Sequence, residues 1–334
     1  MHRSSHSLRR VIKGSVKKRA YLTYFTAKAN SVFSECIKIL DECDLDKFYG
    51  LTFYSYWLYD TAFAAINLKE RYGDKVKGVV SRTHRYDLYA NENSMNYIPH
   101  RYYLLENLDQ VYPCSDDGSD YLKKLYPAYS HKIKTAYLGT KDHGIAQNSN
   151  DNVYRIVSCC HVSPVKRIDL LAKSLAKLND LGIKLKWTHF GAGDGLEAIK
   201  LYAKENLNFM EVNFAGSVKN GELMDYYKKE SVDLFINTSS SEGLPVSIME
   251  ACSFGIPTIA TNVGGTAEIV KESETGLLLD VNFKPEELGE KIKYMIKLSK
   301  EEKQEFRDKC RELWVMNFCA EENFARFSQL IKPV

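Results

Sequence analysis

The sequence lacks any long hydrophobic run. No apolar stretch approaches the roughly 18 consecutive residues that mark a membrane-spanning helix. Its start also lacks the charged, apolar and small-residue regions of a secretory signal peptide. These absences predict a cytoplasmic protein without a membrane span. With 334 residues, the chain has room for two domains of ordinary size.

Cysteines with a recognisable pairing pattern are also absent. The eight cysteines include no C-x-x-C pair and no cysteine–histidine group with zinc spacing. Several of them lie in apolar stretches, so we expect small buried thiols in a reducing compartment rather than a disulfide framework. A metal-binding D-x-D triplet occurs at residues 44–46, but it follows a helical stretch and is interpreted as a solvated helix end.

The chain as a whole has no large excess of positive or negative charge. The formal net charge is only +3, which argues against binding to nucleic acid. The positive charge is nevertheless uneven, because residues 1–34 contain eight lysines and arginines and no acidic residue. Residues 1–28 are therefore a candidate contact for an anionic membrane surface at its inner face. A solvated basic terminus is the alternative.

The second half of the chain alternates between short apolar runs and amphipathic segments. This alternation predicts a parallel sheet covered by helices on both faces. We therefore predict a doubly wound α/β domain over residues 150–312. Its predicted strands are 154–160, 209–216, 233–239, 257–263 and 276–279. A further strand is predicted to begin at residue 183 and to run into the glycine loop 191–195. Its predicted helices are 167–182, 196–207, 222–230, 246–255 and 265–273.

The first half, residues 1–145, shows the same alternation less clearly and also predicts an α/β domain. A polar stretch rich in glycine and asparagine, residues 140–152, marks the predicted boundary. The amphipathic tail from residue 305 predicts one helix, with residues 313–334 as a separate closing segment. The predicted strands of the first half are 49–57, 75–84, 110–115 and 133–139, and the predicted helices are 17–40, 64–73, 96–109 and 118–127.

The segment 239–270 combines two glutamates, turn residues and a glycine pair. A strand is predicted to end at residue 239, and Pro245 then falls in the first turn of a helix, where its missing N–H costs nothing. Ligands of open α/β sheets bind at such strand ends, and a helix N-terminus binds anions. Glu242 and Glu250 would repel a phosphate but suit sugar hydroxyls. The segment predicts a nucleotide-sugar site; solvated glutamates around an ordinary strand–loop–helix are the alternative.

The motif from Glu242 to Glu250, with the Gly-Ile-Pro and Val-Gly-Gly-Thr-Ala-Glu that follow, strongly resembles the E-x7-E signature of retaining GT-B glycosyltransferases of family 4. The resemblance covers residues from about 153 to 330, and it implies that residues 313–334 form a C-terminal helix that crosses back to the first domain. It implies that Lys166 binds the donor diphosphate, that Glu250 binds the donor ribose and that Glu242 binds the transferred sugar. The backbone of Gly243, Leu244, Pro245 and Val246 would face phosphate or sugar oxygens, and the loop with Gly216 and Ser217 would frame the nucleobase.

Two further residues, His84 and His161, follow from the same resemblance. His84, in the segment 81–89, would lie near the sugar that is transferred and would position it rather than act as a base. His161 stands where the family usually has an arginine, and it would hydrogen-bond the diphosphate. Arg167 is expected to face away at the start of a helix. The glycines of 191–195 do not have dinucleotide-binding spacing and would form a structural turn.

The resemblance implies a GT-B fold of two Rossmann-like domains and transfer of a hexose, with retention, from a nucleotide-diphosphate sugar. UDP is expected over GDP, the acceptor would be a glycan or a membrane-lipid-linked sugar, and no metal or other cofactor is expected. The family's leading strand, glycine loop and helix are not evident, because Gly14 is the only glycine among the first 49 residues. The first domain is therefore expected to be shortened. A non-catalytic partner subunit and a nucleotide-sugar epimerase remain alternatives.

Overall fold

The chain folds into two compact units in a computed structural model that describes residues 15–146 and 151–332. The first unit comprises the described residues up to Tyr137 and those from Phe324 onward, and the second comprises those from Leu138 to Asn323. The basic start was predicted to contact a membrane, and residues 1–14 of it lie outside the described part of the chain. In that part, no helix combines the length and the apolar composition needed to cross a bilayer.

The first unit is built on a sheet of three parallel strands in the order β1-β2-β3. Its core gathers apolar side chains from helices and strands alike, among them Val79, Leu104, Leu108 and Val111, all without exposed surface. The elements are α1 Val16–Asp41, β1 Leu51–Ser55, α2 Asp60–Tyr72, β2 Val76–Thr83, α3 Arg101–Asn107, β3 Gln110–Pro113 and α4 Asp116–Leu125.

Helix α1 confirms the prediction of a helix over 17–40. Ser15 caps it by accepting a hydrogen bond from the backbone N–H of Lys18 at 3.2 Å. Only Phe25 and Ala29 of this helix are buried. The ring of Phe25 packs edge-on against that of Tyr59, with centroids 4.4 Å apart. Most of α1 therefore remains at the surface of the unit.

Two predictions for the first unit were wrong. The predicted strand 133–139 is absent: Ile133 forms a single bridge with Val111, and beyond the bridge one further backbone hydrogen bond remains, from Ala136 N to Pro113 O at 2.9 Å. Pro113, the last residue of β3, has no N–H with which to extend this pairing. The helix predicted over 96–109 begins only at Arg101, because Pro99 disfavours a helical residue before it and His100 has a positive φ of 61°.

The second unit contains a sheet of six parallel strands in the order β6-β5-β4-β7-β8-β9. Every residue of β7 and β8 is buried, and Trp187 of β5 has no exposed surface. This confirms the predicted doubly wound arrangement. The elements are β4 Val153–Cys159, α5 Ile168–Leu175, β5 Lys184–Phe190, α6 Leu196–Asn206, β6 Glu211–Gly216, α7 Asn220–Lys229, β7 Leu234–Asn237, α8 Val246–Ser253, β8 Thr258–Thr261, α9 Thr266–Ile269, β9 Gly276–Leu279 and α10 Pro285–Lys297.

The tail forms two helices, α11 Lys300–Asn317 and α12 Ala320–Leu330, where one was predicted. Thr140 interrupts them: its N–H donates to Phe318 O at 3.0 Å, and its carbonyl accepts from Ala320 N at 3.0 Å. These bonds replace the helical ones at the break. The buried Trp314 also donates from Nε1 to Thr140 Oγ1 at 2.7 Å. The end of the second unit is thereby fixed to its beginning.

Candidate functional site

The candidate site lies at the carboxyl edge of the six-stranded sheet, in the second unit. Strand β4 has β5 on one side and β7 on the other, so the strand order reverses between β4 and β7. Ligands of open α/β sheets bind outside the carboxyl ends of the strands at this reversal. The loop after β4 carries Lys166 and the loop after β7 carries Glu242, which places both residues at the switch point.

Lys166 and Glu242 form an ion pair across the switch point. The Lys166 Nζ lies 2.6 Å from Glu242 Oε1, and the Glu242 side chain is only 9% exposed. The same Oε1 atom accepts a second hydrogen bond from Asn237 Nδ2 at 3.2 Å. Asn237, in turn, accepts through Oδ1 from the N–H of Ser239 at 2.9 Å, which fixes its orientation. The Glu242 carboxylate is therefore held by a lysine from one loop and an amide from the end of β7.

Arg167 has a structural role. It is the N-cap of α5 in a left-handed conformation, with φ at 50°. Its guanidinium donates to three backbone carbonyls: to Thr238 O at 2.6 Å, to Ser239 O at 3.2 Å and to Val281 O at 2.5 Å. The side chain thus connects the loop after β7 to the segment that follows β9. The guanidinium therefore holds these backbone segments together, and it is turned toward the loop after β7 instead of facing away from it.

The glycine pair positions the loop that carries Glu242. Gly264 has a φ of +53°, and a Cβ on it would lie 2.1 Å from Glu242 O. The adjacent Gly265 donates from its N–H to Gly243 O at 2.7 Å. Only a residue without a side chain allows the turn after β8 to approach this closely. The pair therefore holds the backbone of the Glu242 loop against the turn.

Helix α8 begins directly after this loop and points its N-terminus toward the same edge of the sheet. Pro245 is the N-cap residue, one position before the first helical turn in which it was predicted, and Gly243, Leu244 and Pro245 are buried. Val246 is 47% exposed, and the first turn of α8 contains no acidic residue. The first amides of a helix lack intrahelical partners and carry partial positive charge. This end of α8 suits an anion.

Glu250 lies one turn into α8 and is half-buried. Its Oε1 accepts a hydrogen bond from Asn220 Nδ2 at 2.7 Å. Burial raises the pKa of the Glu250 carboxyl, and the bond from Asn220 opposes that rise. Burial also raises the pKa of the Cys159 thiol to about 11, with Glu250 raising it further and Lys166 lowering it.

Three other residues were predicted to bind the sugar donor: Gly216, Ser217 and His161. Gly216 ends β6 with a φ of +70°, and its carbonyl accepts from Gly191 N at 2.8 Å; Ser217 beside it is exposed. His161 is exposed and lines a cavity of about 730 Å³ with residues of α5 and α6. Neither Lys166 nor Glu242 lines that cavity.

The glycine loop 191–195 allows the loops after β4 and β5 to pack closely against each other. A Cβ on Gly191 would lie 1.8 Å from Cys160 O, and one on Gly193 would lie 2.1 Å from Val162 O. The loop after β5 therefore lies directly against the loop after β4. This contact agrees with the expected structural turn.

His84 belongs to the first unit, directly after β2. Its backbone N–H donates to Asp87 Oδ1 at 2.7 Å, and its ring Nε2 lies 3.0 Å from Tyr56 O. A carbonyl only accepts, so Nε2 carries the proton and Nδ1 keeps its lone pair. Burial lowers the pKa of His84 to about 4. The imidazole is therefore neutral at pH 7, and its free acceptor atom is Nδ1.

Sequence reasoning missed the two asparagines that hold the glutamates. Asn237 is the last residue of a buried strand, and Asn220 is the first residue of α7. A polar amide at the end of an otherwise apolar strand is a usable signal, because a buried amide needs partners. Nothing in the local sequence around Asn220 distinguishes it from an ordinary helix start.

Solved structures with a similar fold identify the fold of this chain. A structure of Anabaena Alr3699/HepE in complex with UDP and glucose matches with a TM-score of 0.70, 16% identity, 90% of this chain and 81% of that one. A sucrose-phosphate synthase from Thermosynechococcus elongatus matches with a TM-score of 0.66, 18% identity, 84% of this chain and 72% of that one. These proteins are GT-B glycosyltransferases, and the fold of this chain is GT-B.

The family follows from the sequence itself. Residues 141–312 match the sequence model of the family described as Glycosyl transferases group 1, and the chain belongs to that family. An O-antigen biosynthesis glycosyltransferase, WbnH of Escherichia coli, is 31% identical over 133 residues, 40% of this chain and 35% of that protein. A GDP-mannose-dependent alpha-mannosyltransferase of Mycolicibacterium smegmatis is 31% identical over 121 residues, 36% of this chain and 29% of that protein. The chain thus spans about a third of these relatives' length.

Proposed function

We propose that this protein is a retaining glycosyltransferase that moves a hexose from a UDP-sugar to a glycan or lipid-linked acceptor in surface polysaccharide synthesis. The observation that carries the proposal is the Lys166–Glu242 ion pair at the switch point of the sheet, with Glu250 one turn into the adjoining helix. The relatives named for O-antigen biosynthesis and the structure that holds UDP and glucose support the choice of pathway and base.

The donor diphosphate would bind between Lys166 and the N-terminus of α8. The lysine supplies a full positive charge, and the helix supplies about half a charge at its first amides. Gly243, Leu244 and Val246 bring the backbone to the phosphate and sugar oxygens, and the buried Pro245 keeps the turn in place. His161, in the same loop as Lys166, would add a hydrogen bond to the diphosphate.

The two glutamates would hold neutral hydroxyl groups. Glu250 accepts hydrogen bonds from the ribose, and Gly216 and Ser217 line the nucleobase. Glu242 accepts hydrogen bonds from the hydroxyls of the transferred hexose. Because Asn237 already orients the Glu242 carboxylate, the sugar meets an acceptor that is fixed before binding. Each such bond to a charged group is worth about 1.5–3 kcal/mol.

The resting ion pair must open for the donor to bind. Lys166 would exchange the Glu242 carboxylate for a phosphate oxygen, while Glu242 exchanges the ammonium for sugar hydroxyls. No charge is left buried without a partner at any stage, which keeps the cost of the exchange low. The donor therefore replaces one set of charge-assisted hydrogen bonds by another.

The transfer step would break the bond between the anomeric carbon and the diphosphate oxygen. The acceptor oxygen then bonds to the same face of that carbon, which gives retention, and the departing diphosphate oxygen takes the acceptor proton. Burial lowers the pKa of His84 to about 4, so the ring is a weak base; it would position the sugar through Nδ1 and leave the acceptor proton to the diphosphate. Lys166 and the first amides of α8 stabilise the charge that develops on the diphosphate.

Calorimetric titration with UDP, GDP and ADP tests the donor site. We expect wild type to bind UDP most tightly and Glu250→Ala to lose most of that affinity. Glu205→Ala is the matched control, because Glu205 is an exposed glutamate on α6 of the same unit. No binding of any nucleotide by wild type would contradict the proposal and favour the partner-subunit alternative.

Product analysis tests the reaction. Incubation with UDP-sugar and an acceptor glycan should give a product whose anomeric configuration, read by NMR, matches that of the donor. Conversion of the donor sugar without any acceptor would favour the epimerase alternative instead.

A further inference from the structure

An exposed asparagine connects two helices at the ligand edge of the second unit. Asn220 is the first residue of α7, and Glu250 lies 30 positions further along the chain, on α8. The Asn220 Nδ2 atom donates to Glu250 Oε1 at 2.7 Å. An ionised carboxylate only accepts hydrogen bonds, so the amide presents its NH₂ group to Glu250 and turns Oδ1 away from it. This contact fixes the orientation of the Asn220 amide.

The Glu250 carboxylate depends on this one contact. Within residues 15–146 and 151–332, it accepts no other hydrogen bond and takes part in no ion pair. Glu242, by contrast, is held by both Lys166 and Asn237. Asn220 therefore does for Glu250 what two residues together do for Glu242.

The titratable groups that face Glu250 from neighbouring elements are neutral at pH 7. They are the Cys159 thiol at the end of β4 and the Tyr227 phenol of α7. Burial raises the pKa of Cys159 to about 11 and raises that of Tyr227 well above its ordinary value. Burial also raises the pKa of Glu250, and the bond from Asn220 opposes that rise. Asn220 thus favours the ionised form of a carboxylate that its surroundings would otherwise neutralise.

The contact leaves one carboxylate oxygen available to a ligand. Asn220 occupies Oε1, whereas Oε2 of Glu250 makes no hydrogen bond to any residue that the structure describes. An ionised carboxylate oxygen is a strong acceptor for a hydroxyl group. Because the bond at Oε1 restricts rotation of the carboxylate, Oε2 already has a defined direction before a ligand arrives.

We propose that Asn220 is a positioning residue, which orients the Glu250 carboxylate so that Oε2 accepts a hydroxyl group of the bound nucleotide. That this hydroxyl belongs to the ribose rests on the proposed function. The orientation and the ionisation of Glu250 do not rest on it, because both are properties of the protein without a ligand. Asn220 acts on the nucleotide through Glu250.

NMR titration of the ligand-free protein tests the contact directly. The Glu250 carboxyl carbon is observed in protein labelled with ¹³C-glutamate and is assigned by comparison with Glu250→Gln. Asn220→Ala should raise the titration midpoint of Glu250 by about one to two pH units, the effect of one charge-assisted hydrogen bond. Asn213→Ala is the matched control, because Asn213 is an exposed asparagine on β6, and it should titrate like wild type. An unchanged midpoint in Asn220→Ala would overturn the proposal.

Calorimetry with UDP and 2′,3′-dideoxy-UDP tests the role in binding. Both ligands carry the same base and diphosphate, so the ratio of their affinities isolates the ribose hydroxyls. We expect wild type and Asn213→Ala to prefer UDP, and Asn220→Ala to lose about tenfold of that preference at pH 7. As the pH falls, the preference should disappear at a higher pH in Asn220→Ala than in wild type, because Glu250 takes up its proton earlier. Asn220→Gln, which keeps the amide donor, should restore part of the preference.

Failure of this inference differs from failure of the proposed donor site. If wild type prefers UDP and Asn220→Ala keeps the full preference, Asn220 does not position Glu250 and the inference is wrong. If wild type binds the two ligands equally, the ribose role of Glu250 is wrong. In that case the NMR midpoint still decides whether Asn220 holds the Glu250 carboxylate in its ionised form.

Discussion

Lys166 has a different partner before and after donor binding in the proposed cycle. Lys166→Ala removes the cation that would meet the diphosphate, and it leaves the buried Glu242 carboxylate with Asn237. We expect UDP affinity, measured by calorimetry, to fall by about tenfold to a hundredfold, as for the loss of a charge-assisted hydrogen bond. Lys200→Ala on the exposed face of α6 is the control and should bind UDP like wild type. Equal affinities in both variants would remove Lys166 from the site.

His84 should remain neutral well below pH 6.5. Burial lowers its pKa from 6.5 to about 4. A lowered pKa means that the neutral form is favoured in the fold, so this contribution to stability is complete above pH 6.5 and is lost as the pH falls through 4. NMR titration of the His84 ring, assigned by comparison with His84→Gln, should show its midpoint near pH 4. A midpoint near 6.5 would mean that the ring is exposed and free of its bond to Tyr56.

The sequence allowed Lys166, Glu242 and Glu250 to be selected as candidates, but it did not predict the ion pair. Lys166 and Glu242 lie 76 positions apart, and they meet because β4 and β7 are neighbours in the sheet. Strand order is a tertiary property that local patterns do not contain. The role of Asn237 was missed for a different reason: its partner Glu242 is close in sequence, but the contact forms only when the loop after β7 is folded.

The loop–turn contact between Glu242 and Gly264 can be tested by adding one methyl group. Gly264→Ala would place a Cβ 2.1 Å from Glu242 O at a φ of +53°. We expect it to lower the free energy of unfolding by about 1–3 kcal/mol, the usual cost of such strain, and to weaken UDP binding. Gly221→Ala is the matched control, since its Cβ would meet nothing within 4 Å.

The control variant, Gly221→Ala, should change the free energy of unfolding in the opposite direction. Gly221 lies in α7, where alanine is favoured over glycine by roughly 0.5–1 kcal/mol, so that variant should be slightly more stable than wild type. Chemical denaturation measures both variants. If Gly264→Ala unfolded like Gly221→Ala and bound UDP normally, the turn would have no part in positioning the Glu242 loop.

The sequence predicted strands well where both faces of the sheet are buried. It predicted helices and strands poorly where a single residue, often remote in sequence, ends the element. The strands of the second unit appear as apolar runs because helices cover both faces of the sheet. The absent strand 133–139 has the composition of a strand, but Pro113 in its neighbour stops the ladder. The tail has the periodicity of one helix, and only the hydrogen bonds of Thr140, remote in sequence, divide it.

At the scale of the whole molecule, the proposed transfer reaction is expected to need no divalent metal ion. Lys166 and the N-terminus of α8 supply positive charge at the place where the diphosphate would lie. Within the described residues there is no group of three or more histidine, cysteine, aspartate or glutamate side chains able to hold a metal ion. Transfer rates measured with EDTA and with added Mg²⁺ should be equal. Loss of activity in EDTA that Mg²⁺ restores would contradict this prediction.

The contacts around Thr140 bring the two ends of the second unit together. The first residues of that unit bond to its last ones: Thr140 binds Phe318 and Ala320, and Asn323 Nδ2 donates to Leu138 O at 2.7 Å. The chain therefore enters and leaves this unit through adjacent residues, like a cassette inserted between Tyr137 and Phe324. We expect that such a cassette can be exchanged for the corresponding unit of a relative without lengthening either connection, provided that the junction preserves the helix Ala320–Leu330.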